Sequence, residues 1–486
     1  MDLSIYPISF FVSALALIGA SLFAWKHRRD GWGLPMLAVL GTTAVWYHGD
    51  GLYNDYEEYQ TIIGDDALNA AWWQVLLFIL ALSLFVPLIF GLVNARFSGK
   101  SSCVLSYAKT DKIRHPDLQR KTDQLCMSML GCWLILMLVA IVRVDFNIAS
   151  LFAPYLGERG NPWGRSRLGG GISALLSLAS YLQILLAAGF GVIAAVATNP
   201  KTRMIAITVC CLAFPYYIFD RTRNAMIATM LPGLLAYVFL YLQGGIWKKA
   251  VILLVVFLMA NSWFTFVGEN RTQGSISRLF KEKGFNTEKS VETNVDGIEK
   301  KKDRKHEGLT MFSELGYINR FFEDGTYTPT WGGRYFAEAV NVIPRAIWKG
   351  KPLIGIDYAI ARGLAADSRY GSYAAGVTAS VSTGMIGQGV VNFGGFFGPV
   401  AAALLMSIWV SILARQDLMG SAPARLMLYV VGMILTFNMG RDITLLVLYP
   451  YVFGWLLIVF LEWNKKKKRE QNVSAPVRRH RQSPPR

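Results

Sequence analysis

The amino-acid sequence predicts an all-α integral membrane protein with about eleven transmembrane helices, in a range of roughly ten to twelve. Hydrophobic residues make up 53% of the 486 residues, and they occur in long uninterrupted runs rather than in amphipathic stripes. A run of about 20 apolar residues is long enough to cross the hydrocarbon core of a bilayer as a helix. Most of the chain is therefore expected to lie in a membrane.

The apolar runs set the expected order of the chain. They are Ile8–Trp25, Leu34–Tyr47, Ala71–Asn94, Cys126–Val144, Gly171–Ala197, Met204–Phe219, Met226–Leu242, Val251–Val267, Gly395–Ala414, Leu426–Met439 and Ile443–Leu461. They predict a bundle of about eight helices over 1–267, a large loop over 268–394, the last three helices over 395–462 and a disordered basic tail over 463–486. The first run has no cleavage site of small residues after it, so we expect a retained helix and not a cleaved signal.

The charged residues orient the chain. A net charge of +17 would favour nucleic-acid binding in a soluble protein, but these basic residues lie at the ends of apolar runs, where they direct those ends to the cytoplasm. With the basic tail inside, Asp50–Ala70, which is acidic and has no Lys or Arg, falls outside. The large loop also falls outside, and the odd number of spans places the N-terminus there. No nucleic-acid partner is expected.

The positions of the cysteines, histidines and acidic residues in the sequence predict neither a metal site nor a disulfide. Of the five cysteines, Cys103 lies in a predicted cytoplasmic loop and the others lie in predicted helices, so no extracytoplasmic pair is available. The sequence has no phosphate-binding P-loop, no HExxH and no Asp-x-Asp pair. His48 and His306 are the histidines expected outside, and both are interpreted as incidental. No cofactor is predicted.

A second set of arginines does not fit the orientation rule. Arg143, Arg221, Arg223, Arg271 and Arg441 lie at helix ends that face outward. Because an arginine near the membrane costs up to about 3 kcal/mol, several of them on one face favour an anionic ligand, and planar guanidinium groups suit phosphate oxygens. The alternative is that each arginine pairs with a neighbouring carboxylate, as Arg441 would with Asp442.

The large loop has two parts of different composition. Gly274–Gly308 is polar and charged, and is predicted to be mobile. From Leu309 onward, aromatic residues alternate with basic ones, among them Arg320, Trp348 and Lys351. Such a segment suits sugar rings, whose hydroxyls need directional partners. It equally suits a segment that lies in the membrane interface, and the sequence leaves both interpretations open.

Three residues near the end of this loop are candidates for the chemistry. Arg334 and Glu338 are four residues apart and share one face of a predicted short helix. Glu338 is either a general base toward an acceptor hydroxyl or the ion-pair partner of Arg334. Asn392 stands where the ninth apolar run is expected to begin, as a helix cap or as a sugar ligand.

Four motifs in the second half of the chain carry a family resemblance. They are Arg221-Thr222-Arg223-Asn224, the stretch from Asn341-Val342-Ile343-Pro344-Arg345 through Trp348 to Lys351-Pro352, the stretch from Gly387-Gln388-Gly389 through Asn392-Phe393-Gly394 to Gly395, and Gly440-Arg441-Asp442. With these motifs in the expected order, the chain resembles the Wzy-type oligosaccharide repeat-unit polymerases, the O-antigen polymerases of the bacterial inner membrane. The first half matches only as a set of membrane helices.

The resemblance implies a function and a fold. It implies a GT-C-like membrane fold that polymerises undecaprenyl-diphosphate-linked oligosaccharides at the periplasmic face without a metal, with a chain-length regulator and a flippase as partners. Members of this family usually have a larger, even number of spans and both ends inside, which differs from the odd count above. The alternatives are an O-antigen ligase, which transfers the glycan to lipid A core, and a flippase or transporter of the lipid-linked unit. Mid-membrane charges and internal repeats, which are typical of transporters, are not evident in the sequence.

On this hypothesis the candidate residues divide by role. The catalytic candidates are Arg223, Arg345 and Arg441, which stabilise the departing diphosphate, together with Glu338 and Asp442, either of which accepts the proton of the acceptor hydroxyl. The substrate-binding candidates are Arg221, Arg271, Arg320, Arg334, Lys351, Asn392 and Trp348.

Overall fold

The computed structural model describes most of the predicted bundle and parts of the large loop. The described residues are 3–96, 116–147, 151–152, 171–219, 223–240, 242, 245–269, 310–340, 343, 347–352, 356–362, 381–416, 423–443 and 445–474. Every regular element within these ranges is helical.

The helices are numbered in chain order. They are α1 (Ile8–Lys26), α2 (Gly33–Thr43), α3 (Gly49–Tyr53), α4 (Tyr56–Ile63), α5 (Asp65–Arg96), α6 (Pro116–Arg143), α7 (Gly171–Val196), α8 (Pro200–Phe219), α9 (Arg223–Leu240), α10 (Ile246–Glu269), α11 (Met311–Glu323), α12 (Gly333–Val340), α13 (Ile356–Ala361), α14 (Gly384–Ala414), α15 (Pro423–Met439) and α16 (Leu445–Ser474). A π-helical turn at Ala44–His48 joins α2 to α3.

Six of the described helices are long and apolar enough to cross a membrane. The spans are Ile8–Lys26, Asp65–Val93, Gln119–Val142, Ala179–Val196, Gly384–Ala414 and Val447–Asn464, and two shorter apolar helices cover Ala225–Val238 and Pro423–Met439. The prediction of an α-helical membrane protein is therefore confirmed. The count of about eleven spans and the GT-C-like arrangement stay predictions.

Two helices organise the packing. The long helix α5 contacts α1, α11 and α14, and α7 contacts α6, α8, α9 and α16. Helices in a membrane approach each other closely where small residues meet, and α7 and α9 do so at Gly191 and Gly233. A Cβ atom added to Gly233 would lie 2.7 Å from the carbonyl carbon of Gly191. The contact between α7 and α9 therefore depends on the glycine at position 233.

Helix α14 begins earlier than the sequence predicts and bends in its middle. The ninth helix was expected to begin at Gly395, whereas α14 begins at Gly384 and changes direction at Gly394, which has φ 78° and ψ 178°. Its first half is buried as far as Asn392. A Cβ atom on Gly389 would lie 2.2 Å from the carbonyl oxygen of Gly398, so the halves pack against each other. The glycines that resemble a loop in the sequence are what permits this close packing.

Helix α11 marks the point where the large loop returns to the bundle, and Asp50 fixes its start. The Asp50 carboxylate accepts hydrogen bonds from the backbone N–H groups of Phe312 at 2.8 Å and Ser313 at 3.0 Å. It also accepts from the Asn54 amide at 2.5 Å and the Tyr59 hydroxyl at 2.9 Å. Burial raises the pKa of Asp50 to about 6, against the opposing effect of these donors. Asp50 thus caps a helix distant in sequence.

Candidate functional site

Three parts of the chain converge on one buried polar site. They are α12, the start of α14 and the turn between α15 and α16. The backbone N–H of Thr383 donates to Asp442 Oδ1 at 3.2 Å, and the N–H of Met385 donates to the Gly440 carbonyl at 3.0 Å. The N–H of Ile443 donates to the Gln388 side chain at 2.7 Å. The turn is therefore held against the first half of α14.

Asn392 attaches α12 to the bend of α14. Its Oδ1 accepts from the backbone N–H groups of Arg334 at 3.1 Å and Tyr335 at 3.2 Å, which is a helix cap supplied by another helix. Its Nδ2 donates to the Gln388 carbonyl at 2.8 Å. Backbone bonds from Thr330 to Val391 and from Gly332 to Asn392 complete the attachment. Asn392 therefore positions the start of α12.

Arg334 and Glu338 lie on the buried face of α12, as the four-residue spacing predicts. Each is 6% exposed. Within the described part of the chain, Arg334 Nε, Arg334 Nη1 and Glu338 Oε2 have no hydrogen-bond partner, so the two side chains do not form the direct ion pair considered as the alternative role of Glu338. Buried polar atoms are rarely left without partners. Donor atoms of Arg334 and an acceptor atom of Glu338 are therefore available to a polar ligand.

Two carboxylates at this site influence each other. Burial and the charge of Asp442 raise the pKa of Glu338 to about 7, and the Arg334 guanidinium opposes this rise. Burial also raises the pKa of Asp442, against the charges of Arg334 and Arg441 and the donors Ser382 and Thr383. A carboxyl group that titrates near neutral pH is suited to accept a proton and release it again.

Three hydroxyl groups border the carboxylates. Among the described residues, Tyr335 Oη, Thr383 Oγ1 and Tyr449 Oη are buried without hydrogen-bond partners. Tyr449 lies within electrostatic range of Glu338. Burial raises the pKa of Tyr335; the charge of Arg334 lowers it and the charge of Asp442 raises it further. This phenol therefore remains a neutral donor. The sequence analysis did not select these three residues. Thr383 and Tyr449 are distant from Glu338 along the chain, and Tyr335, three residues before Glu338 on α12, resembles the other aromatic residues of the loop.

Several predicted site residues lie elsewhere or have other partners. Arg441 is exposed in the turn beside Asp442. Arg320 lies on α11, where it is 3.5 Å from Asp324 and donates to the Ile62 carbonyl. Lys351 is buried and its Nζ donates to the Ile343 carbonyl at 2.9 Å. Asn392, predicted at a helix start or as a sugar ligand, is fully buried within α14, with its side chain bonded to the protein.

The remaining arginines cannot be placed at the site. Arg221, Arg271 and Arg345 lie outside the described residues. Arg223 is the first residue of α9 and Arg143 the last residue of α6, and their side chains also lie outside the described part of the structure. Their predicted roles stay predictions.

Exposed aromatic residues lie next to the site along the chain. Trp331 is 76% exposed and has φ 48°, a left-handed conformation that is unfavourable for a residue with a large side chain. Phe336 and Trp348 pack edge to face, with ring centroids 6.3 Å apart. The hydrogen bonds of the neighbouring Thr330 and Gly332 hold Trp331 in its conformation, so its ring is presented by a fixed backbone.

The comparisons with known proteins add no relative. The chain matches no protein-family model, no curated protein and no solved structure. In the described residues, no three His, Cys, Asp or Glu side chains are grouped as they are around a bound metal ion. The resemblance to repeat-unit polymerases rests on the four sequence motifs.

Proposed function

We propose that this protein polymerises undecaprenyl-diphosphate-linked oligosaccharide repeat units at the periplasmic face of a bacterial inner membrane, by glycosyl transfer without a metal. The observation that supports this most is the buried site of Arg334, Glu338 and Asp442, which combines a carboxyl group of pKa about 7 with unpaired donors. It lies beside the turn at Arg441, for which the charge pattern of the sequence predicts a position outside the cytoplasm. The family resemblance carried by the sequence motifs implies that the glycosyl donor is a lipid diphosphate.

In the proposed reaction, a hydroxyl group of one repeat unit attacks the anomeric carbon of another. The new glycosidic bond forms while the bond to the diphosphate oxygen breaks, and the diphosphate leaves with that electron pair. The hydroxyl proton passes to Glu338, which its pKa suits for this role. Asp442 is the other carboxylate in range. Donors near the leaving group stabilise its growing charge, and we assign this role to Arg441, with Arg223 and Arg345 from the motifs.

Synthesis by the purified protein tests the proposal. The full chain is incubated with a lipid-linked repeat unit in detergent, with and without EDTA, and the products are separated on a gel. A ladder of products with and without EDTA is expected. Arg441→Ala and Glu338→Ala should lower its yield at least about tenfold, whereas Arg203→Ala, at an exposed residue of α8 outside the site, serves as the matched control. Normal ladders from both site variants would exclude this site.

The same assay separates the alternatives. An O-antigen ligase yields single transfers to added lipid A core and no ladder. One structural feature favours a transporter, because the bent helix α14 resembles the discontinuous helices that form substrate sites in transporters. Such a protein, reconstituted in liposomes, would move the lipid-linked unit between leaflets and leave its size unchanged.

A further inference from the structure

We infer that the buried site of Arg334, Glu338 and Asp442 binds the hydroxyl groups of the acceptor sugar, and that the lipid diphosphate binds elsewhere. This inference rests on the proposed function, and it divides the site that the sequence analysis treated as one group of arginines.

The charges at the site disfavour a diphosphate. The Arg334 guanidinium faces the two carboxyl groups of Glu338 and Asp442, and the exposed Arg441 also acts on Asp442, so that the positive groups do not outnumber the carboxyl groups. The site therefore carries no excess of positive charge for a multiply charged anion. A diphosphate placed here would meet like charges in a buried environment, where their repulsion is weakly screened. A neutral ligand meets no such repulsion.

The unpaired atoms match a hydroxyl group better than a phosphate. Arg334 Nε and Nη1 can only donate, an ionised Glu338 Oε2 can only accept, and the hydroxyl groups of Tyr335, Thr383 and Tyr449 can do both. A sugar hydroxyl both donates and accepts, so that one hydroxyl can pair with Glu338 and Arg334 together. Phosphate oxygens accept only, and would give an ionised Glu338 no donor. The mixed set of partners is what a polyhydroxylated ligand requires.

Arg441 offers a separate position for the charged group. It is exposed, whereas Arg334 and Glu338 are buried, and it is joined to the site through the adjacent Asp442. The donor head group at Arg441 and the acceptor hydroxyl at Glu338 would then approach each other from the surface and from the interior. Transfer between two such positions leaves the diphosphate free to depart toward the surface.

Two probes test this division on the full chain in detergent. The first is the repeat-unit oligosaccharide released from its lipid, and the second is farnesyl diphosphate, which has the diphosphate and no sugar. Binding is measured by calorimetry. Glu338→Gln and Tyr449→Phe should weaken oligosaccharide binding about tenfold and leave the diphosphate Kd within about twofold. Arg441→Ala should do the reverse, and Arg203→Ala, at an exposed residue of α8 outside the site, should change neither.

Several results would overturn the inference. The first is weaker diphosphate binding by both Tyr449→Phe and Arg334→Lys. The second is unchanged oligosaccharide binding by both Glu338→Gln and Tyr449→Phe. The third is that the unsubstituted protein binds no oligosaccharide. Because Tyr449→Phe removes a single oxygen atom, it remains informative if Arg334→Lys fails to fold. Oligosaccharide binding without a product ladder would contradict the proposed polymerase function and retain the hydroxyl site. A ladder with an unchanged oligosaccharide Kd in the variants would contradict only the hydroxyl site.

Discussion

Asn392 Oδ1 accepts a hydrogen bond from the backbone N–H of Arg334 at 3.1 Å, although the two residues lie on different helices. The same oxygen caps Tyr335, so one amide group fixes the start of the helix that carries Glu338. We predict that Asn392→Ala lowers polymer yield at least about tenfold through displacement of Arg334 and Glu338, because the loss of a cap costs about 1 kcal/mol and frees the first turn. The measurement is the product ladder, together with the unfolding temperature.

Asn392→Asp is the matched variant. It keeps the accepting oxygen and loses the donation from Nδ2 to the Gln388 carbonyl. It should therefore retain more activity than Asn392→Ala. Equal and full activity of both variants would show that the cap does not position the site.

The pKa of Glu338, raised to about 7, predicts a pH-dependent rate. A general base works in its ionised form, so the rate should be low at pH 5 and should rise through about pH 7 to a plateau. The groups that face it are Asp442, Arg334 and the Tyr449 hydroxyl. Glu338→Gln should abolish most of the rate and remove this rise. A rate that is independent of pH between 5 and 8 would exclude Glu338 as the base.

The same shift predicts an opposite effect on stability. The folded pKa of Glu338 lies above the usual value for a glutamate, so folding favours its protonated form, and the free energy of unfolding falls as pH rises through about 7. A neutral amide avoids this loss. Glu338→Gln should therefore raise the unfolding temperature at pH 8 and have less effect at pH 5, as measured by thermal unfolding in detergent. A lower unfolding temperature of Glu338→Gln at pH 8 would contradict this electrostatic explanation.

Asp50 gives a prediction about the fold alone. Four donors point at its two oxygens, whereas an asparagine has one accepting oxygen. Asp50→Asn should leave two donors unpaired and lower the free energy of unfolding by roughly 2–4 kcal/mol. Asp55→Asn is the control, because Asp55 caps α4 through a single oxygen. Equal unfolding temperatures for the two variants would contradict this cap.

The close approach of Gly191 and Gly233 predicts a packing defect. Gly233→Ala places a methyl group 2.7 Å from backbone atoms of Gly191, which should separate α7 from α9 at a cost of about 1–3 kcal/mol. Gly91→Ala on α5 meets no atom within 4 Å and should be neutral or stabilising. Thermal unfolding of both variants measures the difference. Similar unfolding temperatures for Gly233→Ala and Gly91→Ala would show that α7 and α9 separate without a cost in stability.

Substitutions of Trp331 distinguish the backbone strain at this residue from a role of its ring in oligosaccharide binding. Its left-handed conformation, φ 48°, is easily adopted by glycine, and its ring makes little contribution to the core. Trp331→Gly should leave the unfolding temperature unchanged or higher, and should weaken oligosaccharide binding about fivefold if the ring stacks on a sugar. Trp331→Phe should retain most of the binding. An unchanged affinity in Trp331→Gly would assign the ring to the membrane interface.

The sequence predicts the helical membrane fold well because apolar runs report burial in lipid directly. It also predicts that Arg334 and Glu338 share a face, since the spacing of a helix is fixed. It could not predict the start of α14, because a buried helix rich in glycine has the composition of a loop. Nor could it identify Tyr449, which lies within electrostatic range of Glu338 from a distant helix, or Thr383, whose backbone N–H donates to Asp442.

The two caps supplied from outside the loop have a consequence for engineering. Asp50 caps the start of α11 and Asn392 caps the start of α12, so each of these helices depends for its first turn on a residue that the bundle contributes. Separated from the bundle, α11 and α12 should lose the hydrogen bonds of their first turns. A graft of these two helices into another membrane protein would have to bring Asp50 and the first half of α14 with it.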